Sequence, residues 1–591
     1  MWSYVPPIRD MQFVVDELLE VRKDWAEIPE FSDLDADTTP QILDAAGQFV
    51  VQNLAPTNAG GDLQGCRYDT GSVITPDGFA QAYAVYRDAG WPALACHPSF
   101  GGQGLPQLLN AALYEMLFAV NHAWSMYPGL THGAYECLRN HATEAIKSIY
   151  LEKLVSGEWL STMCLTEPQA GSDVGLVHTR AVPQADGSYS ISGSKIFISG
   201  GEHDLTPNIL HMVLARLPGA PIGTKGISLF LVPKIIPGDV PRRNGVQCDG
   251  IEKKMGIKGS ATCVMTFASA TGWLIGVPHR GLAAMFVMMN AARLIVGLQG
   301  LGHAEMAYQN ALRYAGERSQ MRAPVKPENA APTIRSGADP IVYHPATRKT
   351  LLTLRAYVEG QRAVAYWCAH LLDIAEHHPD GARRATADDH ASLLTPIVKS
   401  FCTEKGFQLA SAALQIWGGY GYIHEYGVEQ SLRDSRIAMI YEGTNEIQAI
   451  DLLVRKVIAD DGQKCMGLLG MLRDEATACI AAAGCESFGR VLGQTYGEFM
   501  DATSAIIADA PANPELAHRI AADYLYLAGL LLVGSIWARA ARLASPRRTE
   551  PFYASKLQTA QFFFDYLMPE TRLRLDLLNR RHCALPWVGA N

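Results

Sequence analysis

Between Trp159 and about Leu274 the chain changes texture. Short runs rich in β-branched and aromatic residues follow one another there: WLSTMCL, YSISGSKIFIS, ILHMVLARL, GISLFLVP and TCVMTF. Turn signals at Ala185–Ser188 (ADGS) and Pro218–Gly226 (PGAPIGTKG) separate them. Such runs between such turns predict antiparallel β structure. The flanks read differently. Met11, Val14, Val15, Leu18 and Leu19 recur at i, i+3, i+4, i+7 and i+8, one apolar helical stripe. Residues 40–155 keep that character, broken by loops such as HPSFGGQGLP at His97–Pro106. Long helical patterns return after Gly281 and run to about Val457, interrupted by the Pro-containing Arg322–Pro345, which reads as a loop or insertion. A further helical region follows Asp460. With no internal repeat, helices then strands then helices argue for segregated α+β architecture rather than a βαβ sheet. At roughly 100–200 residues per domain, 591 residues make three to five domains.

Charge excludes some functions. Fifty Lys and Arg against 59 Asp and Glu give −9 without long single-sign runs, which argues against a surface built to neutralise nucleic-acid phosphates. The twelve cysteines are scattered with no C-x-x-C, so zinc-ribbon and thioredoxin readings fail, and reduced thiols in an intracellular compartment are expected. MWSYVPPIRDMQ has no apolar h-region, so no signal peptide is expected. The apolar run Tyr524–Ala538 is shorter than the roughly 20 residues a membrane span needs and reads as a buried helix. A soluble, cytoplasmic protein without a membrane span is the expectation.

Stock catalytic motifs are missing. Gly419-Tyr-Gly421 has His424 where G-x-G-x-x-G needs its third glycine, and it lies among helices rather than after a strand. There is no P-loop, no H-E-x-x-H and no G-x-S-x-G. The histidines do not cluster at metal-ligand spacing, so no metal is expected.

Longer strings are more specific. In order they are MCLTEPQAGSDV (Met163–Val174), KIFISGG (Lys195–Gly201), EKKMGIKGSAT (Glu252–Thr262) and MNAARLIVG (Met289–Gly297). ALRYAGERSQM (Ala311–Met321), LQIWGGYGY (Leu414–Tyr422) and IYEGTNEIQ (Ile440–Gln448) complete the set. This set resembles the acyl-CoA dehydrogenase family of flavoproteins over about residues 40–457. SYVPPIRDMQFVVDELL and the C-terminal helices resemble its larger bacterial branch. The resemblance implies an N-terminal helical domain, a middle antiparallel β-barrel-like domain, and a C-terminal helical bundle plus an extra helical domain. The expected division is 1–36 as an extension, 37–158, 159–278, 279–457 carrying the base, and 458–591. It also implies FAD between middle domain and bundle, an acyl-CoA substrate, an electron-transferring flavoprotein as acceptor, and a homo-oligomer, dimer or tetramer.

Glu442 resembles the family's catalytic base. The chemistry needs a carboxylate that removes the α-proton of an acyl thioester while the β-hydrogen leaves as hydride. A thioester α-proton is far less acidic than an ordinary Glu, so desolvation must raise the carboxylate and hydrogen bonds to the thioester carbonyl must acidify the substrate. Some relatives put the base just before the arginine of MNAARL; here that residue is Ala292, which accepts no proton. Glu442 is the only candidate in either position. The resemblance also implies that Met163, Leu165, Thr166, Gly171 and Ser172 run along the flavin. Ser172 would reach the CoA moiety as well, and A-G-S-D reads independently as a helix N-cap. Phe197, Ile198 and Ser199 stand where many relatives have Trp-Ile-Thr. Arg318 and Gln320 resemble an intersubunit contact to the FAD pyrophosphate, with Met321 where Phe is common. Gln415, Gly418 and Gly419 match the turn that admits the adenosine half, Thr444 a diphosphate contact, and Glu446 a position where Gln is common. Asn290, Arg293 and Gly443 are the expected substrate contacts beside Ser172.

Two alternatives share this likeness: an acyl-CoA oxidase of related fold, and a DNA-associated flavoprotein of the same superfamily, which the −9 charge disfavours. The acyl group stays open between a short sulfur-bearing chain and a fatty chain.

Overall fold

The computed structural model describes residues 2–328 and 337–589. Part of the expected 322–345 insertion therefore lies outside the described residues. The chain forms two compact units, one of Met1–Pro6, Glu30–Met306 and Tyr422–Ile437, the other of Pro7–Pro29, Ala307–Gly421 and Ala438–Asn591.

The first unit holds a seven-stranded sheet: β1 (Leu160–Cys164), β2 (Arg180–Pro183), β3 (Tyr189–Ser199), β4 (Ile209–Arg216), β5 (Ile227–Pro233), β6 (Val246–Ile251) and β7 (Thr262–Ile275). Its order is β6-β7-β3-β2-β4-β1, with β5 pairing both β7 and β4. The expected antiparallel pattern holds except where β4 runs parallel to β1 and, through the single pair Arg180–Arg216, to β2. Strands β4 and β5 are buried along nearly their whole length, which is why their sequences are continuously apolar rather than alternating.

Among the helices that precede the sheet, the last three are α1 (Gln107–Gly129), α2 (Thr131–His141) and α3 (Glu144–Val155). Helix α1 is buried almost throughout and breaks at Asn121, whose Oδ1 accepts the Trp124 N–H at 3.0 Å. One core joins α2 and α3 to Leu210, Met212, Leu214 and Leu229 of the sheet, and to Ala284, Met285 and Met288 at the start of α4 (Gly281–Glu317). Each such side chain contributes about 1.5–3 kcal/mol when fully buried.

The second unit is helical. Helices α5 (Pro345–His377) and α6 (Gly381–Trp417) pack together, and after α7 (Val428–Ser435, in the first unit) and α8 (Asn445–Ile450) come α9 (Gln463–Ile480), α10 (Glu486–Asp509), α11 (Leu516–Ala544), α12 (Pro551–Phe562) and α13 (Glu570–Asn579). Two helical stretches, Gly281–Glu317 and Leu516–Arg547, are long and apolar enough to cross a membrane by length and composition alone. The most apolar window of the second is 83% buried within the fold, as the buried-helix reading of Tyr524–Ala538 expects. Residues 7–29 pack in this unit, with Phe13 edge-on to Phe552 at 5.5 Å and Lys556 bridging Asp10 and Glu359. The stripe read from Met11 to Leu19 shifts here. A π-turn at Phe13–Leu18 buries Phe13 and leaves Leu19 only half-buried, because a wider turn rotates the following residues out of the 3.6-residue phase.

Candidate active site

In the first unit the Met163–Val174 segment starts on strand β1, where Met163 pairs with Met212, and continues as a loop. A buried ion pair shapes that loop. Lys195, fully enclosed on β3, donates to Glu167 at 2.8 Å and to the Leu165 carbonyl at 3.0 Å. Glu167 also accepts the N–H groups of His178 (2.7 Å) and Thr179 (3.0 Å) and the Thr179 hydroxyl (2.6 Å). Burial pushes the Glu167 carboxyl up, but the Lys195 charge and these hydrogen bonds outweigh it and hold it at about 2. Burial pulls the Lys195 ammonium down against the attraction of Glu167. The loop's far end is tied by Arg216, which donates to the carbonyls of Val177 (2.8 Å), Pro221 (2.9 Å) and Gly223 (3.0 Å).

The Thr166 carbonyl accepts the Ile196 N–H at 2.9 Å, which sets the next residue, Phe197, beside the loop. Phe197 is 59% exposed and has φ of 58°, a left-handed conformation that costs a bulky L-residue about 1–2 kcal/mol. Ile198 is buried and Ser199 half-buried. The N-cap is Asp173 rather than Ser172: its carboxylate accepts the Gly175 N–H at 2.9 Å, leaving Ser172 and Gly171 exposed. On α4, Arg293 is only 4% exposed, so it is no solvated-face arginine, and it donates to exposed Asn290 at 3.3 Å. Ala292 is buried.

The second unit carries Glu442 in the tight turn between Ile440 and helix α8. Glu442 has φ of 56° and Gly443 of 82°, two left-handed residues in succession. A side chain at 443 would be strained there, and its Cβ would lie 2.7 Å from Gln448 Nε2. The carbonyls of this turn are held from inside. Gln448 Nε2 donates to the Glu442 carbonyl at 3.0 Å, and enclosed Lys399 on α6 donates to the Gly443 carbonyl at 2.7 Å and to Asn445 Oδ1 at 3.1 Å. Thr403 adds a bond to the same Asn445 oxygen at 3.2 Å, and Asn445 Nδ2 donates to the Ser400 carbonyl at 3.3 Å. Thr444 caps α8, its hydroxyl accepting the Ile447 N–H at 3.4 Å, while Glu446 is exposed.

Elsewhere in that unit the Arg318 guanidinium lies 5.5 Å from the Tyr420 ring centre, so ERSQM and the Gly418–Gly419 turn are brought together. Gln320, Gln415, Gly418 and Gly419 are exposed, and an added Cβ at Gly418 or Gly419 would meet nothing. Met321 is left-handed, with φ of 58°. Lys195, Glu167, Lys399, Gln448 and Asn445 escaped the sequence reading. Glu167, Lys195, Asn445 and Gln448 lie inside recognised strings and Lys399 does not, and a lysine on a helix or strand gives no sign of burial.

Among the described residues one group of potential metal ligands converges, Asp62, His424 and Glu429. Arg433 lies between its carboxylates, with bonds of 2.6 and 2.9 Å to Asp62 and further bonds to Glu429, so the cluster is an ion-pair network.

Four family models match the chain: acyl-CoA dehydrogenase N-terminal domain (residues 37–158), middle domain (162–270), C-terminal domain (328–457) and an acetyl-CoA dehydrogenase C-terminal-like domain (472–585). The chain is 40% identical to a 3-methylmercaptopropionyl-CoA dehydrogenase of Ruegeria pomeroyi, over 96% of each chain. It is 33% identical to a broad-specificity linear acyl-CoA dehydrogenase of Mycobacterium tuberculosis, again over 96% of each. Among solved structures, the butyryl-CoA dehydrogenase of Megasphaera elsdenii matches with a TM-score of 0.57 at 25% identity, covering 71% of this chain and 97% of that one.

Proposed function

Because the chain belongs to the acyl-CoA dehydrogenase family, we propose that Glu442 is the base that takes the α-proton of a linear acyl-CoA thioester. The protein is an oxidoreductase that introduces a double bond between the α and β carbons of an acyl-CoA, giving the trans-2-enoyl thioester. The turn that carries Glu442 is the observation that supports the assignment of the base: two left-handed residues whose carbonyls are both bonded inward. Backbone in such conformations persists where the surroundings over-determine it, as at sites that must present one group in one orientation. The other family position for a base is buried Ala292.

Members of this family are flavoproteins, and the residues here fit FAD. Phe197 presents an exposed ring, the hydroxyls of Thr166 and Ser199 have no protein partner among the described residues, and the backbone at Gly171, Gly418 and Gly419 is open to close approach. When bound, FAD supplies the acceptor for the β-hydride. Met163, Leu165, Thr166, Gly171, Ser172, Phe197, Ile198 and Ser199 of the first unit are the candidates for holding it. Arg318, Gln320, Gln415, Gly418, Gly419, Thr444 and Glu446 are those of the second. Ser172, Asn290, Arg293 and Gly443 are the candidates for the CoA thioester. The Arg293–Asn290 bond supports treating those two as one unit, since Asn290 orients the guanidinium.

The reading extends to the parts that share this logic. 3-Methylmercaptopropionyl-CoA is the first substrate to try and straight-chain fatty acyl-CoAs the next, given the names of the relatives. An electron-transferring flavoprotein is the proposed electron acceptor, and the enzyme is proposed to be a cytoplasmic homo-oligomer, a location supported by twelve cysteines that are all free thiols. A barrel-like middle domain is supported by pairings that close on themselves through β7, β3, β2, β4 and β5. Of the proposed divisions, those at 36, 158 and 457 are supported by the ends of the matching models, and the helical part is proposed to begin after 278.

Anaerobic mixing of the FAD-loaded protein with a panel of acyl-CoAs, followed at the flavin band at about 450 nm, tests the reaction and names the chain. Glu442→Gln should keep FAD and thioester binding and abolish bleaching, since the amide is isosteric and accepts no proton at neutral pH. Bleaching at the wild-type rate in that variant would refute the base.

A further inference from the structure

Lys399 lies far from Glu442 in sequence and on a different helix, yet it is fully enclosed and spends its ammonium on the turn that carries Glu442. An enclosed ammonium is costly unless its donors are used, so its placement needs a reason. It bonds two points of one turn, the Gly443 carbonyl and the Asn445 side chain. Ser400 and Thr403, on the same stretch of α6, bond Asn445 as well, Thr403 at the same oxygen and the Ser400 carbonyl at its amide nitrogen. Gln448, one helical turn further on, takes the Glu442 carbonyl.

The consequence follows from peptide geometry. In a trans peptide the C=O and the next N–H point in opposite directions. Fixing the Glu442 and Gly443 carbonyls inward fixes two peptide planes and turns the N–H groups of Gly443 and Thr444 the other way. Those two planes flank the Cα of Gly443, so its φ and ψ are set, and the carbonyl end of left-handed Glu442 is held where it enters them. An unclamped Glu442 would relax toward right-handed or extended backbone, the ordinary preference of an L-residue, and that rotation would swing its carboxylate.

We propose that Lys399, with Gln448, is a positioning residue for the dehydrogenation. It holds the Glu442 turn in the one backbone conformation that presents the carboxylate to the α-proton, and it touches neither substrate nor flavin. This rests on the reading of Glu442 as the base.

The test uses the full-length, FAD-loaded enzyme with two near-isosteric apolar variants, Lys399→Met and Gln448→Met, beside Glu442→Gln. Three quantities are read: amide hydrogen exchange of the 440–448 peptide, the dissociation constant of an acyl-CoA that bleaches the wild type, and the bleaching rate at saturation. For Lys399→Met, exchange in 440–448 should rise at least about tenfold while exchange elsewhere on α6 stays unchanged. Bleaching at saturation should fall about 100-fold with the dissociation constant within about threefold, the signature of a misplaced catalytic group rather than a lost binding contact. Wild-type exchange, or raised exchange with wild-type bleaching, overturns the proposal. So does exchange raised throughout the helical unit with binding lost in step, which marks a merely structural lysine. If Lys399→Met does not fold, Gln448→Met decides by the same outcomes. Normal bleaching in Glu442→Gln would instead sink the base assignment, and the exchange data would still report whether the turn is clamped.

Discussion

Two loops, one in each unit, are held by an enclosed lysine that donates to a backbone carbonyl. Lys195 takes Leu165 in the Met163–Val174 segment, and Lys399 takes Gly443 in the Glu442 turn. They differ in the bonds around the lysine. Lys195 faces Glu167, whose carboxylate gathers four further donors and ties the segment to His178, Thr179 and Gln169. The acceptors found for Lys399 are the neutral oxygens of Gly443 and Asn445. The first arrangement is an ion-pair hub that fixes a loop against a sheet, and the second is a clamp on a single turn. The difference teaches that similar residues can serve fold and function in different proportion.

The largest effect expected from this contrast is on stability. Lys195→Met leaves the Glu167 charge enclosed with hydrogen bonds but no cation and should cost about 3 kcal/mol, the lower part of the range for breaking a buried pair. Lys399→Met removes the donors to the Gly443 carbonyl and the Asn445 side chain and should cost about 1–2 kcal/mol. Urea midpoints of both variants decide the matter, and equal losses would erase the distinction between hub and clamp. Reversing the pair by Lys195→Met with Glu167→Leu should recover much of the loss, because no lone charge is left.

Acid provides a smaller and sharper probe of the hub. Glu167 sits at about 2 in the fold against 4.5 when unfolded, so its contribution is fully present above about pH 4.5 and drains away as pH falls through about 2. Asp434, in the same unit, is shifted the other way. Burial pushes its carboxyl up to about 6 against the Ile257 N–H bond, and the Asp62 charge adds to the rise. Its folded form binds a proton more tightly than its unfolded form, so this term falls as pH rises from 3.8 to about 6. The two limbs predict greatest stability of the sheet-bearing unit between them, measured by hydrogen exchange of the 189–199 peptide across pH. Asp434→Asn should flatten the upper limb and leave the lower one. A lower limb that survives Glu167→Gln would show that some other acid controls it.

The architecture was legible because it rests on patterns that composition cannot disguise: β-branched and aromatic runs set off by turn signals from Trp159 to Leu274, and long helical stripes on both sides. Glu442 and the flavin segment were legible as strings. The supports were not, because burial of a lysine depends on what packs over it. Lys399 reads like any solvated helical lysine until Asn445 and Gly443 are brought to it by the chain reversal after α6. Nor does sequence show phase shifts: the π-turn at Phe13–Leu18 brought Phe13 into the buried stripe and left Leu19 at its edge. Arg293, expected as a substrate contact, is enclosed, since the apolar residues around it extend around the helix rather than along one stripe.

The smallest expected effect compares two left-handed residues, one in each unit. Phe197 and Glu442 have nearly the same φ, 58° and 56°, but Phe197 is largely exposed, whereas the Glu442 turn is gripped by Gln448 and Lys399. Phe197→Gly removes a strain of about 1–2 kcal/mol and adds the extra unfolded-state entropy of glycine, about 0.5–1 kcal/mol. Little buried surface is lost, so the apo protein should gain about 0.5–1 kcal/mol. If the ring lies against the flavin, the same change should weaken FAD retention, measured as the dissociation constant by fluorescence titration. A stability gain together with weaker FAD binding would mean that the strain at Phe197 is kept for its ligand. A stability loss would mean that Phe197, like Glu442, is held in its conformation by the fold around it, and the contrast between an exposed strained residue and a clamped one would fail.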